Sequence, residues 1–229
     1  MDIHIENLRF SWSESGFELN IPSWRIPAGR SVAIVGPSGS GKSTFLKLLA
    51  GIEQPCSGGI RFSSMPSHSG TEHERSAFRQ GHIGFVFQDF RLVDYLDVQG
   101  NILIPWRLQE SVAMSQELVH VRLKTLLQGL GLTALRHRPI HQLSHGERQR
   151  TAIARAMILQ PKVVLADEPT GNLDPANKVI VRDMLLRETA RTEATLIMVT
   201  HDRGLVEAFD EVQDFQAIRN AHQPSRTNS

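Results

Sequence analysis

The chain has 229 residues, 40% of them hydrophobic and 21% charged, which is enough apolar material for a sizeable core and excludes wholesale disorder. Lys and Arg number 25 against 24 Asp and Glu, a net charge of +1. That balance excludes a surface built chiefly to neutralise nucleic-acid phosphates, though not a single well-built anion site. The single cysteine, Cys56, excludes an internal disulfide and an all-cysteine metal cluster. Residues 1–6 lack the basic-then-apolar order of a secretory signal, and no apolar run approaches the ~18 residues that span a bilayer. A cytosol-facing chain is expected, with any membrane span supplied by another chain.

Ile3 and Ile5, Leu8 and Phe10, then Phe17, Leu19 and Ile21 alternate as half-buried strands do, with Pro22, Pro27 and Gly29 punctuating the connection. Ser31–Val35 reads as a central strand covered on both faces. Phe45, Leu46, Leu48 and Leu49 have helical spacing, closed by Gly51, where positive φ is tolerated. Residues 55–73, rich in Ser, Gly, Pro and His, read mostly as an exposed loop, with Ile60 and Phe62 as the strand signal. Residues 83–87 are a further short apolar run. From Asp89 to Gln160 the pattern is mostly helical. Leu118, Val121, Leu126, Leu127 and Leu130 fall near one face before Gly131, and residues 144–160 form a second helix stopped by Pro161. Strand–helix alternation resumes with a strand over 163–166, a helix from Pro175, a strand over Thr195–Thr200, a short helix after Asp202 and a last strand within 212–218. Residues 219–229 read as a mobile tail. The alternation predicts an α/β fold with a mostly parallel sheet, interrupted by a helical insertion.

Gly36-Pro37-Ser38-Gly39-Ser40-Gly41-Lys42-Ser43-Thr44 fits G-x-x-x-x-G-K-[ST], between a buried strand and an amphipathic helix. Glycines let backbone N–H groups wrap phosphate oxygens at a helix N-terminus. Lys42 supplies a point charge for the β- and γ-phosphates, and the Ser43 hydroxyl is placed to ligate Mg²⁺. The apolar run at 163–166 ends in Asp167-Glu168. Neighbouring strand residues face opposite ways, so Asp167 can hold Mg²⁺ through water while Glu168 acts as general base on the attacking water. The long separation of Lys42 from Asp167 fits the helical insertion.

Leu143-Ser144-His145-Gly146-Glu147 opens the second helix, with Ser144 and Glu147 spaced as a capping box. The same helix start can serve as a second anion site. This pentapeptide resembles the signature motif of the ATP-binding cassette (ABC) ATPases, a resemblance covering nearly the whole chain. Further elements of that family follow in order: Gln88 as the Q-loop glutamine, Gly171-Asn172-Leu173-Asp174 as the D-loop, and His201 as the switch histidine. The resemblance implies a P-loop NTPase (RecA-like) fold with an N-terminal antiparallel β region and an inserted helical subdomain. It implies one domain over 1–229, with 1–88 and 159–218 as nucleotide-binding core, 89–158 as helical subdomain and 219–229 as a tail. It also implies ATP and Mg²⁺ as ligands, with Gln88 joining Ser43 and Asp167 at the metal, and Glu168, Gln88 and His201 as the hydrolytic group. Two copies pack head to tail by resemblance, each ATP lying between one phosphate loop and Ser144, Gly146 and Glu147 of the other copy, with Asp174 of the D-loop also among the nucleotide-binding residues.

Other readings stand beside these roles. Gln88 is also an ordinary polar strand end, and Asp174-Pro175 is first a helix start. Trp12 aligns with the family's adenine-stacking aromatic; a core tryptophan is the other reading, with Phe10 as the alternative. His145 stands where the commonest signature has glycine, either adding bulk beside a phosphate site or adding a donor. Within 90–106, Phe90, Tyr95, Leu96, Ile102, Ile104 and Trp106 are core residues of the insertion or, by resemblance, part of a groove for a cytoplasmic helix of a membrane permease. The run from Leu165 to Asp174 is similar to the branch serving lipoprotein release, macrolide efflux and cell division. The expected protein is an ABC transporter ATPase of export or force-transmitting type, peripheral on the cytoplasmic face of the membrane and without nucleic-acid partners. A regulatory ATPase that gates an extracytoplasmic enzyme is the alternative.

Overall fold

The structure, a computed structural model, describes residues 1–12, 16–63, 65–66, 71–109, 114–171 and 173–220. The expectations for Asn172 and for 221–229 lie outside the described residues. In chain order, β1 (Ile3–Ser11) and β2 (Glu18–Ile26) are followed by β3 (Ser31–Val35), α1 (Lys42–Leu49), β4 (Ser57–Phe62), β5 (Met65–Pro66), α2 (Glu72–His82) and β6 (Ile83–Val86). Next come α3 (Val98–Arg107), α4 (Gln116–Gly129), α5 (His145–Met157), β7 (Val163–Asp167), α6 (Pro175–Arg191), β8 (Thr195–Thr200), β9 (Glu211–Asp214) and α7 (Phe215–Asn220).

Two sheets organise these elements. An antiparallel one has the order β2-β1-β4-β5, and a parallel one the order β6-β7-β8-β3-β9. Every residue of β7 and β8 is buried, as befits central strands with both faces covered. Strand alternation sends Ala33, Val164, Ala166, Leu196 and Met198 into a core shared with α3, α4, α5 and α6. It sends Val32, Ile34, Val163, Leu165, Ile197 and Val199 into a second core with α1 and the antiparallel sheet. At Gly84, α5 comes close to β6: an added Cβ there would meet the Ala156 carbonyl oxygen at 2.3 Å.

The structure corrects several expectations. Pro22 lies inside β2, tolerated because β2 is an edge strand where a missing N–H costs little. Residues 57–62 are a strand, and a helix the pattern did not predict begins at Glu72, capped by a reciprocal box between Thr71 and Glu74. In α4 the core-facing positions are Val119, Leu123, Leu126 and Leu127, whereas Leu118 and Val121 are exposed; 119, 123, 126 and 127 hold the i, i+4, i+7, i+8 stripe. The helix expected over 144–160 spans 145–157. The last strand stops at Asp214, and Phe215 starts a helix that buries Phe215 and Ile218. Arg219, assigned to the tail, is anchored by two hydrogen bonds.

Candidate functional site

The glycine-rich loop leaves the C-terminal end of β3 and enters α1 at Lys42. Gly41 has φ 99°, and a Cβ there would sit 2.4 Å from the Phe17 ring, so this position requires glycine. The Lys42 ammonium donates to the carbonyls of Gly36 at 2.8 Å and Pro37 at 2.9 Å. Arg219 donates to the Ser40 carbonyl at 3.0 Å and the Glu18 carbonyl at 2.6 Å, with its guanidinium 5.8 Å from the Phe17 ring centre. The Ser40 hydroxyl is buried with no hydrogen-bond partner among the described residues. A cavity of about 500 Å³ opens over the loop, lined by Trp12, Phe17, Ser38, Gly39, Gly41, Lys42, Ser43, Thr44, Gln88, Glu168 and His201.

Two acids end β7 in different ways. Asp167 shares the alternation of Val163 and Leu165, so it faces α1, where its carboxylate accepts the Ser43 hydroxyl at 2.9 Å. It is 7% exposed. Burial raises its pKa, opposed by the Ser43 hydrogen bond, with the neighbouring Glu168 charge adding to the rise. A serine hydroxyl beside a buried carboxylate is a hard oxygen pair that fits a divalent cation. Glu168 does not simply take the opposite strand face, as alternation had suggested. Its φ is 45°, its N–H donates to the Val199 carbonyl at 3.0 Å, and its Oε2 lies 2.7 Å from His201 Nδ1. The left-handed turn brings Glu168 and His201 onto one cavity wall with Gln88.

Ser144 caps α5: its N–H donates to Glu147 at 2.7 Å, and its hydroxyl accepts the Glu147 N–H at 3.3 Å. The hydrogen bond from the Ser144 backbone holds the Glu147 pKa below the ordinary carboxyl value. Asp174 likewise caps α6 through Asn177, whose hydrogen bonds depress its pKa. Ser144, Gly146, Glu147 and Asp174 do not line the Lys42 cavity. Trp12 is 40% exposed on the cavity wall, edge-on to the buried Phe10 at 4.9 Å. Ile102 is core, Tyr95 is 88% exposed, and Ile104 lines a second groove of about 360 Å³ with Ile52, Phe85, Phe87, Leu108 and Leu159. Arg79, Arg91 and Arg155 also line that groove; Arg79 pairs with Glu72, Arg91 with Asp89, and Arg155 donates to the carbonyls of Phe90 and Arg91.

Phe17 and Arg219 were missed by sequence reasoning. Phe17 reads as one more residue of an alternating strand, and its contact with Gly41 joins distant parts of the chain. Arg219 follows the last periodic residues, and nothing local marks it.

A profile described as "ABC transporter" matches residues 19–171. The chain is 39% identical over 213 residues to the lipoprotein-releasing system ATP-binding protein LolD 1 of Rhodopirellula baltica, covering 90% of each. It superposes with a TM-score of 0.81 on the dimeric structure of the bacterial ABC transporter cassette MJ0796, at 29% identity, covering 93% of this chain and 94% of that one. A dimeric post-hydrolysis state of that cassette bound to ADP and Pi matches with a TM-score of 0.80 at 28% identity over the same shares. Phosphate loop, paired acids, capped signature helix and these matches agree: the chain belongs to the ABC transporter family, as an ATP-binding, ATP-hydrolysing subunit.

Proposed function

We propose that two copies close head to tail on two ATP molecules, and that closure drives a membrane permease of the export or force-transmitting kind. The observation that carries this reading is the cavity where Lys42, Gln88, Glu168 and His201 converge, beside the Ser43–Asp167 pair. Glu168 is the general base for the attacking water; His201, hydrogen-bonded to it, fixes its carboxylate and faces the γ-phosphate. Lys42 and the loop N–H groups hold the phosphates, and Trp12 stacks on the adenine. Ser43, Asp167 and Gln88 would hold Mg²⁺, which would neutralise phosphate charge. Ser144, Gly146, Glu147 and Asp174 lie off the cavity of their own chain, which supports their service to the partner copy's ATP.

Residues 1–88 and 159–218 act as the nucleotide-binding core and 89–158 as the helical arm that meets the permease. No helix among the described residues is long and apolar enough to cross a membrane; membership of the ABC transporter family supports attachment to the cytoplasmic face through a partner. The apolar groove at Ile104 and Leu108 suits a short amphipathic helix. The LolD relative supports a place in the lipoprotein-release branch.

The head-to-tail arrangement is tested by mixing two defective chains, Lys42→Ala and Ser144→Arg. Opposed copies leave one intact site in the mixed dimer, so ATP-dependent association returns on mixing. A mixture as inert as either chain alone refutes the arrangement.

A further inference from the structure

The segment after Gln88 is gripped by both ends of α5. Phe90 and Arg91 are consecutive non-glycine residues with left-handed φ, 60° and 47°, a conformation that persists only where the surroundings impose it. Arg155, in the last turn of α5, donates through its two terminal nitrogens to the carbonyls of Arg91 and Phe90. At the other end of the helix, the His145 and Phe90 rings meet edge to face, with centroids 4.7 Å apart and planes at 68°. The Arg91 guanidinium in turn lies 4.7 Å from the Phe87 ring centre. Phe90 is buried, whereas His145 is exposed. Residue 145 is flanked by the capping serine and Gly146, and Phe90 is two residues from Gln88.

We infer that His145 is a positioning residue: its ring latches the Gln88 segment to the start of α5, so that the two nucleotide-facing elements move as one body. What the latch uses is the edge-to-face contact of the two rings, not a hydrogen bond from the imidazole nitrogens. A glycine at this position leaves Arg155 to hold the segment by its backbone alone. The inference rests on the reading of Gln88 and Ser144 as nucleotide-facing, so its test carries one readout that does not depend on ATP.

The experiment compares the full chain with His145→Ala, Phe90→Leu, the double variant and His145→Phe, by amide hydrogen exchange and by ATPase kinetics. Loss of one edge-to-face contact corresponds to about a two- to tenfold effect. His145→Ala is expected to speed exchange across 87–91 by that factor while leaving 31–50 unchanged, and to lower kcat with KM for ATP held. His145→Phe restores both, and Phe90→Leu adds nothing in the His145→Ala background. Independent, multiplying effects of the two substitutions overturn the latch. So does a His145→Phe chain that behaves like His145→Ala, because the nitrogens would then carry the role. Faster exchange with unchanged turnover overturns the positioning role. If the parent chain fails to hydrolyse ATP, the functional reading falls and exchange alone decides the latch.

Discussion

Glu168 Oε2 and His201 Nδ1 lie 2.7 Å apart at the ends of the adjacent strands β7 and β8. The pair exists because Glu168 leaves the strand with φ 45° while its N–H keeps the ladder bond to Val199. A general base contributes about 10²- to 10⁴-fold, so Glu168→Gln is expected to lower turnover by that order. The amide keeps a hydrogen bond to His201 and leaves ATP bound, so the variant runs as an ATP-dependent dimer on a sizing column. Undiminished hydrolysis removes Glu168 from the role.

Asp167 gives a pH prediction of unusual sign. Its pKa is raised by burial above the ordinary 3.8, so the folded state disfavours the carboxylate relative to the unfolded chain. The destabilisation is fully present above the raised pKa and disappears as pH falls through it toward 3.8. Asp167→Asn, which can still accept the Ser43 hydroxyl, is therefore expected to raise Tm at neutral pH, with the gain shrinking on acidification. Thermal melts across that range check it; a lower Tm at neutral pH contradicts the burial argument.

Gly41 separates two causes of sensitivity. An alanine there meets the tip of the Phe17 ring, which can swing aside, and it must also adopt φ 99°, which cannot be relieved. A non-glycine residue in such a region costs about 1–3 kcal/mol. Gly41→Ala is expected to weaken nucleotide binding, and adding Phe17→Ala restores little of it. Full rescue by Phe17→Ala in a fluorescent-nucleotide titration assigns the cost to the ring instead.

The central machinery was legible because its signals are local. The Gly36–Ser43 spacing, the apolar runs of β3, β7 and β8, and the Ser144–Glu147 box each declare themselves within a dozen residues. The helix α2 was hidden by its polarity, with Arg75 its one buried residue, although Thr71-x-x-Glu74 had the same box spacing recognised at Ser144. Phe17 against Gly41 and His145 against Phe90 join segments far apart in sequence, and no periodicity encodes them. Glu168 was placed by strand alternation, which ends one residue before it; the turn at φ 45° depends on its tertiary surroundings.

The groove between β6, α3 and the end of α5 gives a prediction that leaves the nucleotide site untouched. Leu108 is 64% exposed at its edge. Leu108→Glu places a charge on the apolar rim where a partner helix would sit, so docking would have to desolvate it. The chain should keep its own ATPase rate yet lose the membrane protein that co-purifies with it. Retention of that partner at parental stoichiometry moves the docking surface elsewhere.

Arg219 ties three parts of the chain together: α7, the start of β2 at Glu18 and the phosphate loop at Ser40. It lies beyond the residues matched by the family profile, 19–171, and it is the only described side chain from α7 that hydrogen-bonds to the loop. Hydrogen bonds from a charged group contribute about 1.5–3 kcal/mol, with Arg219 partly exposed and so toward the lower end. The guanidinium fixes the Ser40 carbonyl, and with it one peptide of the phosphate loop. Arg219→Ala is expected to weaken ATP binding by about tenfold, one hydrogen bond's worth, and to lower Tm modestly. Arg219→Lys, which can reach one carbonyl but not span both, should fall between. Unchanged ATP affinity with a lowered Tm makes Arg219 an anchor for α7 alone.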